Sequence, residues 1–160
     1  MKKMIVFLLL IAALCSLAAC SQKAAYKDNV SLEDLTAVVE KHLDGGSLAE
    51  MKESYLSGPM KLDTILFADF LVKINAYGAN IDEYGIFKAR DAAGVASVQK
   101  EAEDYLQMRK DTWMEEYMPE EKPKLMEAEV KVCGLYVLYV IVSDEVRSPI
   151  LSDFENALKA

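Results

Sequence analysis

Chemistry requires particular side chains at particular spacings, and this chain offers few such sets. His42 is its single histidine, and there is no cysteine pair at ligand spacing, so neither a zinc site nor any other metal or cofactor is expected. Acidic residues bunch at Glu115, Glu116, Glu120 and Glu121, but without the alternating carboxylates and central glycine of a calcium loop; they read as a solvated charge run. No Gly-x-Ser-x-Gly elbow presents a nucleophile. An enzyme would need a carboxylate pair, such as Glu83 with a second acid brought near by folding, and the expectation is that the chain is not one. His42, in the last turn of a helix, suits a cation at the negative end of the helix dipole, with a general base as the other reading. Cys133 is either a small apolar filler or an exposed thiol. Tyr105, Arg109, Trp113 and Tyr117 recur at four-residue steps. Trp113 and Tyr117, with Tyr84, are the candidate surface for a sugar, peptide or protein; the alternative is a core stripe.

The N-terminus has the layout of an export signal. Lys2 and Lys3 precede an uncharged run from Met4 to Ala19, too short for the roughly 20 apolar residues of a spanning helix. It ends in Leu17-Ala18-Ala19-Cys20-Ser21, which resembles the lipobox of bacterial lipoproteins at every position; Cys15, after Leu-Ile-Ala-Ala-Leu, matches it less well. The resemblance implies a diacylglyceryl thioether on Cys20, cleavage just before it, and a partner in the lipid bilayer. Two or three acyl chains hold a protein at a membrane where one does so only marginally. The expected location is the extracytoplasmic face of the cell membrane.

Removing residues 1–19 takes away two lysines and no acid, leaving 16 basic against 26 acidic residues, a formal charge of −10. Such a surface is repelled by phosphate backbones, so nucleic acid is excluded as a partner. With Cys20 lipidated, Cys133 is the one remaining thiol and no intramolecular disulfide can form. Residues 1–19 are read as signal peptide, 20–29 as a lipidated polar tether, and 30–160 as one domain with a single core.

Within that domain, Ser31 with Asp34 marks an N-cap, and Leu32, Leu35, Val39 and Leu43 follow at helical spacing until Gly45-Gly46. A second helix is expected over 47–56, and a third over 62–77, where Ile65, Leu66, Phe70 and Ile74 share a register and Gly78 is the stop. Ile81–Ala89 reads as a strand, with Gly85 marking a bulge or a close backbone approach. Ala92–Tyr117 reads as the longest helix and 119–124 as a charged loop. Residues 127–132 alternate as a half-exposed strand. A Cys133-Gly134 turn then leads into Leu135–Val142, uncharged on both faces and so central in a sheet. Ser148-Pro149 reads as the start of a closing helix. The order predicts an α+β fold: a small antiparallel or mixed sheet of about three strands, covered by helices.

Asp82-Glu83-Tyr84-Gly85-Ile86-Phe87, the Trp113–Pro119 stretch and Gly134-Leu135-Tyr136-Val137 resemble a family of small lipoproteins of Gram-positive anaerobes. Its shared domain has no known function, so the resemblance implies compartment and fold and supplies no site. The expected role is a protein-interaction module docking on an envelope protein; the alternative is a binder of a small ligand, a peptide or wall fragment. Cys20→Ser should abolish incorporation of radiolabelled palmitate and leave uncleaved or untethered protein; unchanged labelling would contradict the anchor.

Overall fold

A computed structural model describes residues 25–77, 79–114 and 116–160. The expected signal peptide, Cys15, Cys20, the stop at Gly78 and Glu115 lie outside these residues. Among those described, no helix is long and apolar enough to cross a membrane.

The fold is α+β, with five strands rather than three. They are β1 (Leu48–Glu50), β2 (Phe67–Asn75), β3 (Glu83–Ala89), β4 (Glu129–Cys133) and β5 (Tyr136–Ile141). All neighbours are antiparallel, in the order β1-β2-β3-β5-β4. Among the described residues five helices complete it: α1 (Leu32–Glu40), α2 (Glu53–Ser57), α3 (Val95–Asp111), α4 (Lys122–Met126) and α5 (Asp144–Leu158). The sheet is covered on both faces, α2, α3 and α4 lying on one side and α1 with α5 on the other. That is why every residue of β5 is buried and its sequence carries no charge on either face.

The two strands absent from the sequence reading have physical reasons. Phe70 and Ile74, four apart, share a face in a helix and equally in a strand, so their spacing does not discriminate. Val72 between them decides it: Phe70, Val72 and Ile74 all pack on the α3 side while Leu71 packs on the other, which is period two. A short 3₁₀ turn over Thr64–Leu66, capped by Asp63, precedes the strand, and the register shifts between Phe67 and Asp69. In place of the expected helix over 47–56 come β1, only three residues long, and the single turn α2.

Other boundaries shift for local reasons. The first helix starts as read, with the Ser31 side chain accepting from Asp34 N at 3.1 Å, but it ends at Glu40, so Leu43 lies past it and His42 is not in its last turn. The long helix stops at Asp111, short of Trp113 and Tyr117, and part of the expected charged loop folds as α4 with Pro123 in its first turn. The closing helix starts at Asp144 behind Ser143, five residues earlier than the Ser148-Pro149 signal, with Asp144 and Glu145 at its positive end and Pro149 inside it. Gly134 takes a φ of 61° at the first of the two loop positions between β4 and β5, as a tight hairpin requires.

Candidate functional site

Alternation along β3 turns Tyr84 and Ile86 toward α1 and α5, and Phe87 toward α3 with Glu83 and Gly85 on the same side. Glu83 has no solvent exposure. Its Oε1 accepts hydrogen bonds from the Tyr105 hydroxyl at 2.5 Å and the Tyr139 hydroxyl at 2.8 Å, and its Oε2 accepts from Arg109 Nη1 at 2.5 Å. Arg109 Nη1 also donates to the Tyr105 hydroxyl at 2.7 Å. A carboxylate leaves water only when paired and hydrogen-bonded, and this one has three donors. Gly85, opposite Tyr139 in the sheet, makes the arrangement possible: a Cβ there would overlap the Tyr139 ring. That ring stacks on Phe87 and meets Tyr105 edge-on, 5.8 and 5.4 Å between centroids.

Burial, reinforced by the Glu83 charge, pushes the Tyr105 and Tyr139 hydroxyls well above the usual phenol range and keeps them as donors. Burial works against the Arg109 charge, yet Glu83 and Tyr105 outweigh it and hold the guanidinium more firmly protonated than usual. With both Glu83 oxygens hydrogen-bonded and neither reaching solvent, the cluster fastens α3 to β3 and β5.

A second polar cluster lies at the same end of the sheet. Lys124 Nζ donates to Asp82 at 2.9 Å and Glu121 at 2.8 Å, and Glu121 also accepts from the backbone N–H of Ile81 at 3.0 Å. These bonds tie the turn between β2 and β3 to α4 and the segment after α3. On the tied segments Tyr77, Met114 and Tyr117 are 72 %, 64 % and 57 % exposed, and Met126 is also exposed. Scattered exposed apolar residues are ordinary; Ile65, 76 % exposed, is another, ahead of β2 at the other end of the sheet. At the opposite end, Tyr26 packs over Gly134, Lys27 N donates to Leu158 O at 2.8 Å, and Ala160 N donates to Ala25 O at 2.9 Å. The described part of the expected tether is therefore bound to the C-terminus. The length of β3, roughly 3.3 Å per residue, separates this entry from the exposed tip.

The residues expected to form a binding surface do not come together. Tyr84 is fully buried on the α1/α5 side, its hydroxyl donating to Glu40 at 2.9 Å, and burial first, then Glu40, raises its pKa. As the neighbour of Glu83 in a strand it must face the other way. Trp113 is half-buried against the α3-side core, and its Nε1 has no partner among the described residues. Tyr117 stands exposed, while Tyr105 and Arg109 belong to the Glu83 cluster. His42, beyond the end of α1, lies 3.0 Å from Asp153 and bridges to α5. Cys133 is buried, and burial raises its thiol pKa, the condition of an inert filler. Of the acidic run, Glu121 is buried in the Lys124 cluster. No group of three or more His, Cys, Asp or Glu able to hold a metal occurs among the described residues. A cleft of about 770 Å³ opens between Tyr26, Arg90, Val95, Val132 and Leu135.

The fold and site define an α+β domain in which an antiparallel five-stranded sheet is locked to a helix by a buried carboxylate. Residues 36–142 match the domain of unknown function DUF4358, and the chain belongs to that family. The match runs from within α1 to the end of β5 and contains both polar clusters and the exposed tip. No curated protein and no solved structure matches the chain.

Sequence reasoning named Glu83 only as a possible acid and missed its partners. A glutamate amid a β-branched and aromatic run, two residues before a glycine, is the one signal that could have exposed it. Glu83→Gln leaves Arg109 beside a neutral amide and should cost about 3 kcal/mol of stability, read by urea melts; an unchanged midpoint would contradict the burial. Tyr84, Tyr105 and Tyr139, with folded pKa raised above the ordinary 10.0, contribute stability fully present below pH 10 and lost as pH rises beyond it. Alkaline titration should therefore show their tyrosinate absorbance only as the fold opens; ionisation of all eight tyrosines with the far-ultraviolet spectrum intact would contradict this.

Proposed function

We propose that the chain is a lipoprotein anchored through Cys20 at the extracytoplasmic face of the membrane, whose folded domain docks on an envelope protein. The observation that carries this reading is the opposition of the two ends. The chain enters beside Tyr26 and the C-terminus, whereas Tyr77, Met114, Tyr117 and Met126 stand exposed at the far end of the sheet. A domain tethered at one end meets partners with the other, and aromatic and methionine side chains are favoured in contact surfaces. Two clusters behind the tip, around Glu83 and Lys124, hold it in shape before any partner arrives, which lowers the ordering cost of binding.

A second reading, capture of a small ligand, has one observation in its favour: the cleft between Tyr26 and Leu135, beside the chain's entry. Its lining is apolar with one basic and two acidic side chains, and so fits a short peptide or wall fragment better than a strongly anionic molecule.

A photoreactive phenylalanine analogue placed in turn at Tyr77, Tyr117 and, as control, the exposed Ser148 on α5 distinguishes the docking face in living cells. Both tip positions should yield an adduct with the same envelope protein and Ser148 none. Adducts from Ser148 alone, or from no position, would overturn the reading.

A further inference from the structure

Strand β4 forms one border of the sheet, with no strand beyond it among the described residues. In a hairpin closed by the Cys133–Tyr136 pair, alternate residues of the outer strand turn their backbone N–H and C=O groups away from the partner strand; on β4 these are Val130 and Val132. Such an edge is a template for another strand, and proteins commonly blunt it with a protruding lysine. The lysine here does not protrude: Lys131 Nζ is folded back onto Glu155 at 2.5 Å. Beside the edge runs a groove lined by Glu103, Leu106, Gln107 and Lys110 of α3 and by Ala128 and Val130. Glu129 and Lys110 have no ion-pair partner among the described residues.

We propose that this edge joins two copies of the chain, β4 against β4 about a two-fold axis through Val130, giving one continuous antiparallel sheet. The register follows from the residues. With Val130 on the axis, its outward N–H and C=O pair with those of its own copy, and Val132 N–H meets the Ala128 carbonyl. Alternation then puts Ala128, Val130 and Val132 together on the α3 side. On the other side, Glu129 of each chain lies opposite Lys131 of its partner.

The same axis makes α3 self-complementary. The four groove residues recur at three- and four-residue steps and centre between Leu106 and Gln107, so a two-fold there sets Glu103 of one chain toward Lys110 of the other, twice. An isologous interface demands this reciprocity, and the two Glu103–Lys110 pairs on α3 supply it in the register set by β4, where Lys131 keeps its bond to Glu155. A free peptide strand would use the backbone edge but would leave the α3 charges unmatched. The axis runs normal to the sheet, so both chain entries, against α5, face the same way and the pairing is compatible with one membrane.

The test is sedimentation of the full chain in density-matched detergent, comparing the wild type with Glu103→Lys, Lys110→Glu and the double exchange, all on an accessible helix face. The wild type should be dimeric, each single reversal should weaken the dimer about tenfold or more by creating two like-charge pairs, and the double exchange should restore it. A wild type still monomeric at about 100 µM, well above the range of a functional dimer, would overturn the proposal. A dimer indifferent to the single reversals, or one not restored by the exchange, would do so equally.

Discussion

A buried carboxylate must be neutralised or the fold around it fails, and Glu83 is where this domain meets that requirement. Its three partners come from two other elements: Arg109 and Tyr105 one helical turn apart on α3, and Tyr139 from β5. Each donor reaches Glu83 only if α3 crosses the sheet at one height and β5 sits in one register against β3. A slip of one residue in β5 would carry Tyr139 to the opposite face. Gly85 is the steric counterpart of the same constraint, since any side chain there would push the Tyr139 ring away. Apolar packing around Phe67, Phe87 and Tyr139 supplies area without direction, and the carboxylate supplies the direction.

The consequence reaches the surface. Arg109 lies in the last turn of α3, so fixing it also fixes where the chain leaves the helix toward Trp113 and Tyr117. The Asp82–Lys124–Glu121 cluster secures the next stretch against the turn before β3. Between them, two polar clusters hold a segment that Trp113 also packs against the α3-side core and that carries exposed Met114 and Tyr117. At the other end the chain is held by backbone pairing of Ala25 and Lys27 with the C-terminus. Tyr84 gives the α1 side a smaller equivalent, its hydroxyl and Lys73 both donating to Glu40.

What was legible in the sequence was what periodicity encodes without ambiguity. The strand at Glu83–Ala89, the β4–β5 hairpin with its glycine, and the Ser31 cap all emerged because local geometry alone specifies them. β2 did not, because residues four apart share a face in helix and strand alike. β1 is three residues long and forms only through its pairing with β2. Pro149 misled because proline marks a helix start in isolation but is also accommodated inside a helix already begun at Asp144. The site was least legible: Arg109 and Tyr105 read as part of an aromatic stripe, because a partner 26 positions away leaves no trace in helical spacing. Tyr84 was placed at a surface because aromatic content does not reveal facing, which the alternation from a buried Glu83 would have corrected.

The family to which the chain belongs has no assigned function. Buried Glu83 and Glu121 are each engaged by cations and hydrogen-bond donors, and Tyr77, Met114, Tyr117 and Met126 stand exposed at one end, with Ile65 exposed at the other. A double-mutant cycle on Glu83 and Arg109, replacing them singly and together by leucine and methionine and following urea unfolding, tests that organisation most directly. If the pair is the constraint that orders the domain, the double variant should be more stable than the sum of the single losses predicts, by about 2 kcal/mol or more, because neither charge is left alone. Losses that add to within about 0.5 kcal/mol would mean the two residues act independently and would contradict the account.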